Sequence, residues 1–226
     1  MQPNSFVIAV FEFVLLIFSL SVHECAHAWM ASRLGDQTAR LQGRVTLNPM
    51  YHIDPVGTLL FPALMIFGPL IGGGMMGGFL VGWAKPTPVI TRNFRNIVRD
   101  DSLVTLAGPV SNLLLALIAF LALAGMIIGQ GHIPIQQGMQ TNVEALQTLC
   151  ELAIQVNFAL FFFNLLPIPP LDGSHILRHF LPYNFLNAYD SMGMFGYMIM
   201  IFVGSPIVRL LMGPTLDIVY GLLNRL

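Results

Sequence analysis

The stretch His23-Glu24-Cys25-Ala26-His27 follows directly on an apolar run over residues 6–20, and it decides how the rest of the chain is interpreted. In an α-helix, residues four positions apart project from one face, so the two imidazoles would lie one above the other. Such a pair suits one zinc ion, with the intervening glutamate placed to take a proton from water. Two histidines and a carboxylate are costly to place in a bilayer, so we interpret the set as functional.

The composition of the chain indicates a membrane protein. Of 226 residues, 55% are hydrophobic and 9% are charged, whereas a soluble domain averages about 25% charged residues. We therefore expect an all-α polytopic membrane protein that forms a single membrane-embedded domain over residues 1–226 and has the lipid bilayer as its surroundings. A formal net charge of -1 gives no support for nucleic-acid binding.

Long apolar stretches predict about five to six membrane segments, because a spanning helix needs about 20 mostly apolar residues. The clearest stretches are residues 6–33, 102–128 and 145–166, and a further candidate covers residues 188–203. The chain after Ser205-Pro206 forms either a final span or an interfacial helix.

One predicted segment, residues 56–81, is apolar but interrupted by many glycines and by Gly68-Pro69. That much glycine argues against one straight helix, so we expect a broken or re-entrant segment that protein shields from lipid. Residues 82–89 then predict extended chain, because Pro86 and Pro88 each disfavour helix at the preceding residue.

The distribution of basic residues predicts the orientation in the membrane. Lysine and arginine are concentrated in residues 33–44 and 82–102, whereas residues 129–144 contain neither. The simplest topology places the N-terminus outside and the histidine end of the first span toward the cytoplasm. The chain after Leu166 then arrives at the same side.

A catalytic zinc commonly has three protein ligands and an open position, so a third ligand is required. Asp172 is the strongest candidate, because it follows the apolar stretch 145–166 after a proline-rich turn that frees the backbone to fold inward. An alternative is that Asp172 caps the following helix. His175 is a second candidate ligand, although a surface histidine is the favoured interpretation.

These motifs resemble those of the site-2 protease family of intramembrane zinc metalloproteases, in its short bacterial and archaeal form without a PDZ domain. That family pairs HExxH on one membrane helix with an NxxPxxxLDG-type motif on a later one. Here Asn164 stands eight positions before Asp172-Gly173. One departure is Ser174-His175, where many relatives have Gly-Arg.

Two further stretches are similar to those of the short family members. They are Ala107-Gly108-Pro109-x-x-Asn112 and Gly82-Trp83-Ala84-Lys85-Pro86. Asn112 is interpreted either as packing between helices or as a substrate contact. The resemblance implies that the Trp83 strand belongs to a small membrane-embedded β element, which is thought to receive an unwound substrate.

The resemblance implies a zinc metalloendopeptidase that cuts a membrane-anchored protein within or near its transmembrane segment, as in regulated intramembrane proteolysis. His23, His27 and Asp172 would bind one Zn²⁺ per chain. Glu24 would be the general base for zinc-activated water, which attacks the carbonyl, and Asn164 would contact the substrate or its oxyanion. The family also implies a multi-pass protein of a prokaryotic plasma membrane, with the active site toward the cytoplasmic side.

Two other classes of function stay open on the residues alone. A membrane transporter or channel could use the same His/Asp set, but it predicts ligands along a path and often an internal repeat, and no repeat is present. A silent relative that only binds partners is disfavoured by the intact motifs. The sequence determines neither the substrate's identity nor the oligomeric state.

Overall fold

The computed structural model describes residues 3–71, 82–132 and 140–226. Its α-helices, in chain order, are α1 (Pro3–Leu34), α2 (Thr38–Leu41), α3 (Phe61–Phe67), α4 (Ile97–His132), α5 (Gln140–Leu165), α6 (Asp172–Arg178), α7 (Tyr183–Asp190), α8 (Gly193–Ile199) and α9 (Ser205–Leu223). Turns of 3-10 helix occupy Pro49–Tyr51, Gly68–Ile71 and Thr91–Asn93, and π-helical turns occupy Pro55–Leu60 and Met200–Gly204. The all-α class is confirmed.

Within these described ranges, four helices are long and apolar enough to cross a membrane. They cover Ser5–Leu34, Ile97–Gln130, Thr141–Leu165 and Phe202–Leu223. The first three match the predicted spans at 6–33, 102–128 and 145–166. The predicted total of five to six membrane segments is not confirmed.

The first helix, α1, ends at Leu34, and Gly35 follows it directly. This residue has a φ of +119°, a conformation that glycine adopts without steric cost. A Cβ at this position would also lie 3.0 Å from the carbonyl oxygen of Asn93. The glycine thus ends α1 and lets the chain before α4 pack closely against that end.

The predicted broken segment lies partly outside the described residues, because 72–81 are not among them. Its described half is a short apolar helix, Pro55–Ile71, whose pitch changes from π to α to 3-10. The carboxylate of Asp54 caps this helix by accepting hydrogen bonds from the amides of Val56 and Gly57. Pro55 occupies the first position, where no intrahelical donor is needed.

Residues 82–90 form neither a helix nor a strand of a sheet in the part of the chain that the structure describes. The amide of Trp83 donates to the Gly57 carbonyl at 3.2 Å, and that of Lys85 to the His52 carbonyl at 2.8 Å. Hydrogen bonding by every second amide is the pattern of extended chain. The extended conformation therefore agrees with the prediction, whereas the small β element is not confirmed.

The candidate span at residues 188–203 is not one continuous helix. Its first residues end α7, a turn at Ser191 and Met192 follows, and α8 leads into the π-helical turn at Met200–Gly204. Gly196 explains part of this path, since a Cβ there would lie 2.1 Å from the carbonyl oxygen of Pro169. The close approach packs α8 against the proline-rich turn, and the fourth apolar helix begins only at Phe202.

The helices α1, α4 and α5 pack together around the site. Leu16 and Leu20 of α1 contact Val156 and Leu160 of α5, and Ala31 of α1 packs with α4 and the chain before it. In lipid, such packing and buried hydrogen bonds, rather than the hydrophobic effect, hold helices together. The second half of α1 therefore contacts both α4 and α5.

Candidate metal centre and active site

The three predicted metal ligands meet at one point. The Nε2 atoms of His23 and His27 lie 3.0 Å apart, and Oδ2 of Asp172 lies 3.1 Å and 3.3 Å from them. His23 and His27 come from adjacent turns of α1, and Asp172 is the first residue of α6. The described residues contain no other group of three or more His, Cys, Asp or Glu side chains at such distances.

These distances fit a bound zinc ion. Ligand atoms about 2.0–2.1 Å from a tetrahedral zinc would lie about 3.3 Å from one another. Oδ2 of Asp172 is buried and accepts no hydrogen bond from any described residue. An orphaned buried carboxylate oxygen beside two imidazole nitrogens is the environment that a cation would satisfy.

A carbonyl group of α4 fixes the tautomer of His27. Its Nδ1 lies 2.7 Å from the carbonyl oxygen of Val104. Since a carbonyl oxygen only accepts, Nδ1 must carry the proton and donate it. In the neutral ring, Nε2 then keeps its lone pair for a metal.

A chain of buried amides fixes the tautomer of His23 in the same way. The Nδ2 group of Asn157 donates to the carbonyl of Ala153, so its Oδ1 is left to accept from Nδ2 of Asn112 at 3.0 Å. Oδ1 of Asn112 then faces Nδ1 of His23 at 2.6 Å and accepts its proton. Because this series of hydrogen bonds ends at a backbone carbonyl, which can only accept, the orientation of each side-chain amide is determined. His23 therefore also directs the lone pair of Nε2 toward the common point.

Gly108 of α4 forms the wall opposite the histidines. A Cβ at this position would lie 2.3 Å from Nε2 of His27 and 2.6 Å from Nε2 of His23. These lengths approach that of a zinc–nitrogen bond. The missing side chain thus leaves a space of atomic size beside the two nitrogen atoms, where an ion would bind.

The turn between α5 and α6 brings Asp172 to the histidines. A Cβ at Gly173 would lie 2.2 Å from the carbonyl oxygen of Leu165, so glycine allows the turn to fold back on α5. The helix cap is Leu171, which makes no side-chain capping bond, so the alternative interpretation of Asp172 as a cap is wrong.

The other end of α6 is tied to α4. Nε2 of His179 lies 2.8 Å from Oδ2 of Asp101, and both side chains are largely buried. The exposed pair of Arg178 and Asp190 joins α6 to α7, and such a surface pair adds little stability. The buried contact is therefore the stronger constraint on the helix that begins with Asp172.

Glu24 lies beside the three candidate metal ligands, and Thr87 of the extended segment hydrogen-bonds to its carboxylate. Its Oε2 accepts hydrogen bonds from the amide of Thr87 at 3.0 Å and from the Thr87 hydroxyl at 2.8 Å. Both residues line a cavity of about 320 Å³ that also contains His23, His27 and Asp172. The carboxylate therefore has a fixed position beside the three candidate ligands.

Asn164 and His175, the remaining candidates from the sequence, also line this cavity. Nδ2 of Asn164 donates to the carbonyl of Leu160 at 2.9 Å, which leaves its second proton and its Oδ1 for other contacts. His175 is not one of the three side chains that meet at the metal site. Cys25, inside the HECAH stretch, is not part of that cluster either.

Sequence reasoning missed several residues of the site. For Asn112 the sequence predicts helix packing or a substrate contact, whereas in the structure its side chain is hydrogen-bonded to His23. Val104, Gly108 and Asn112 recur at intervals of four, so one face of α4 touches both imidazoles. The Ala107-Gly108-Pro109-x-x-Asn112 stretch was a signal for this face. No motif indicated the contact of Thr87 with Glu24.

Comparison with known proteins gives a consistent result. The model of peptidase family M50 matches residues 11–203. A Bacillus subtilis protein named "Putative zinc metalloprotease YwhC" is 41% identical over 169 residues, which cover 75% of this chain and 68% of the relative. A Mycolicibacterium smegmatis protein, Rip2, described in the same words, is 32% identical over 218 residues, 96% of this chain and 72% of the relative. No solved structure shows significant similarity to the chain.

The family match covers most of the chain, including all the candidate site residues, and the relatives' names specify zinc. The predicted family and its cofactor, zinc, are therefore confirmed. The four long apolar helices agree with a protein integral to a membrane. The chain belongs to peptidase family M50, the site-2 protease family of membrane zinc metalloproteases.

Proposed function

We propose that this protein is an intramembrane zinc endopeptidase that hydrolyses a peptide bond within or near the transmembrane segment of a membrane-anchored protein. The observation that carries the proposal is the meeting of His23, His27 and Asp172 beside Glu24 in one cavity. The two histidines and the aspartate would hold the zinc ion. When bound, zinc supplies Lewis acidity to the substrate carbonyl and lowers the pKa of water.

Glu24 acts as the general base and then as the general acid. It takes a proton from the attacking water and returns it to the leaving nitrogen of the cut peptide bond. Its position next to His23 in sequence keeps it close to the metal site, while Thr87 directs its carboxylate. Asn164, which also lines the cavity, contacts the substrate or the developing oxyanion.

The substrate must unwind before it is cut. A transmembrane helix hides its carbonyl groups in internal hydrogen bonds, so the bond to be cut must first leave the helix. The cavity that contains His23, His27 and Asp172 then receives the peptide in an extended conformation.

The extended segment offers a partner for such a peptide. The amides of Trp83, Lys85 and Thr87 point to one side, toward Gly57, His52 and Glu24. In an extended chain the intervening residues turn their backbone groups to the other side. Ala84 and Pro86 line the cavity, so pairing of the substrate along this edge would replace the hydrogen bonds lost on unwinding.

The proposed location is the plasma membrane of a prokaryote, with the site toward the cytoplasm. The support is the concentration of basic residues in 33–44 and 82–102, which flank the ends of α1 and α4 nearest the site. We also propose that the chain forms one membrane-embedded domain. A membrane-anchored protein would reach the cavity from the surrounding bilayer.

The experiment that tests the proposal compares wild-type protein with Glu24→Gln in lipid nanodiscs that also contain a single-span test substrate. We expect wild type to cut the substrate and Glu24→Gln to bind zinc but not cut. Glu144→Gln, an exposed change on α5, serves as the matched control and should cut normally. If no substrate is cut and zinc crosses vesicles that contain Glu24→Gln protein, the alternative of a metal transporter is correct instead.

A further inference from the structure

Thr87 makes three polar contacts with Glu24. Its amide and its hydroxyl both reach Oε2, and the same hydroxyl lies 3.1 Å from the backbone carbonyl oxygen of Glu24. A hydroxyl has one proton, so it donates to one of these oxygens at a time, while the amide stays on Oε2. Because these bonds fall on Oε2, Oε1 is the oxygen available to a molecule in the cavity.

The contact continues a row of backbone hydrogen bonds. Along the extended segment, the amide of Trp83 donates to the carbonyl of Gly57, and the amide of Lys85 donates to the carbonyl of His52. At the next position in this row, the acceptor is the carboxylate of Glu24 instead of a backbone carbonyl. The side chain that moves the proton is therefore fastened to the segment whose other edge faces the substrate cavity.

The two prolines beside Thr87 hold its amide in place. Pro86 and Pro88 have fixed φ angles and restrict the residues before them, Lys85 and Thr87, to extended conformations. Neither proline has an N–H, so Thr87 carries the one backbone donor of this tripeptide. Further along, the carboxylate of Asp36 accepts from the amide of Ile90 at 2.7 Å and anchors the segment at its far end.

We propose that Thr87 is the positioning residue of the general base: it holds Oε2 of Glu24 so that Oε1 faces the water and the leaving nitrogen. This inference rests on the proposed function, because it assigns Thr87 a role in the same proton transfer. Thr87 itself does not exchange a proton with the substrate. Its hydroxyl and amide limit the rotation of the carboxylate, which aligns the base before a substrate arrives.

The kinetic test uses Thr87→Val, which keeps the shape and the amide but removes the hydroxyl. We expect kcat to fall by about 10-fold or more with little change in KM, since the loss affects the chemical step and not substrate binding. Thr87→Ser restores the hydroxyl and should restore kcat. Zinc content should be the same in all three proteins.

Thr58→Val is the matched control. The hydroxyl of Thr58 donates to the carbonyl of Trp83 at 2.9 Å and accepts from the amide of Asp54 at 3.0 Å. This variant therefore loses a hydroxyl contact to the same segment without touching Glu24. We expect it to retain the wild-type kcat. If Thr58→Val and Thr87→Val lose kcat equally, or if Thr87→Val changes KM alone, Thr87 only anchors the segment and the inference is wrong.

A second measurement does not depend on activity. In protein labelled with ¹⁵N-threonine, the Thr87 amide signal is assigned by its disappearance in Thr87→Ser. We expect this amide to be protected from hydrogen exchange in wild type and in Glu24→Gln, whose side-chain carbonyl still accepts, and to lose protection in Glu24→Ala. Equal protection in Glu24→Ala and wild type contradicts the contact itself.

The outcomes separate the two proposals. If wild type cuts no membrane substrate, the proposed function fails and the role of Thr87 in catalysis fails with it. If wild type cuts and Glu24→Gln does not, yet Thr87→Val matches wild type, only the positioning role fails. Cleavage by wild type, loss of kcat in Thr87→Val and recovery in Thr87→Ser support both.

Discussion

Gly108 faces His27 so closely that a Cβ atom at position 108 would lie 2.3 Å from Nε2 of that histidine. This distance is close to the length of a zinc–nitrogen bond, about 2.0–2.1 Å. A methyl group would therefore compete for the volume in which we propose that the ion binds.

The first prediction is that Gly108→Ala loses its zinc. The added methyl group blocks the space between His23 and His27, and zinc per chain measured by elemental analysis should fall close to zero. Gly125→Ala in the same helix is the control, since nothing lies within 4 Å of its added Cβ. Retention of full zinc by Gly108→Ala would show that the ion does not lie beside this glycine.

The second prediction concerns the amide that orients His23. Asn112→Ala removes the acceptor at 2.6 Å from Nδ1, so the imidazole loses its fixed tautomer. Loss of such a partner typically lowers metal affinity by about 10- to 100-fold. Chelator competition should show this fall, and Asn157→Ala, one step further along the chain of amides, should show a smaller one. Unchanged affinity in Asn112→Ala would contradict the role.

How much of this site the sequence predicts depends on how far apart in the chain the contacting residues lie. The spacing of His23 and His27 follows from helix geometry, and Asp172 follows from its proline-rich turn and from the family motif. Asn112 and Thr87 lie 89 and 63 residues from their partners on α1. A single sequence does not give the packing angle of α4 against α1, so these contacts needed the structure.

The same difference between local and long-range contacts applies to the fold. The spans of α1, α4 and α5 are long and uniformly apolar, so composition predicts them well. The stretch at 188–203 is equally apolar, yet it breaks at Ser191 and packs Gly196 onto the carbonyl of Pro169. That close contact is tertiary, and it outweighs the local preference for one helix.

A third prediction concerns Asp36, which anchors the chain between the extended segment and α4. It is fully buried and accepts hydrogen bonds from the Ile90 amide at 2.7 Å and from Nδ2 of Asn93 at 2.8 Å. Burial acts to raise the pKa of Asp36, but hydrogen bonds from Ile90, Thr38 and Asn93 outweigh it and hold that pKa below its usual value. The ionised carboxylate therefore stabilises the folded state.

A lowered pKa fixes the sign of the pH dependence. The contribution of Asp36 is fully present above the ordinary aspartate pKa of about 4 and is lost as pH falls through the lowered value. Asp36→Asn should reduce the free energy of unfolding in detergent by about 1–3 kcal/mol at pH 7. The difference from wild type should shrink below about pH 4. A difference that grows in acid would contradict the assignment.

A fourth prediction separates two roles of Asn164. If its free amide proton stabilises the oxyanion, Asn164→Asp removes that donor and should lower kcat by about 10²- to 10³-fold. Zinc content should stay at the wild-type level, because Asn164 is not among the three side chains that meet at the metal site. Steady-state kinetics on the test substrate measures the effect. A change in KM alone would assign Asn164 to substrate binding.

The central claim is that His23, His27 and Asp172 together bind one zinc ion under the cover of α4 and α5. X-ray absorption at the zinc edge, on purified Glu24→Gln protein, tests it most directly. The account predicts one zinc per chain, bound only by nitrogen and oxygen at about 2.0–2.2 Å, with imidazole scattering from two histidines and loss of the metal in Asp172→Ala. Protein that purifies without zinc, or zinc with a sulfur ligand at about 2.3 Å, would contradict it.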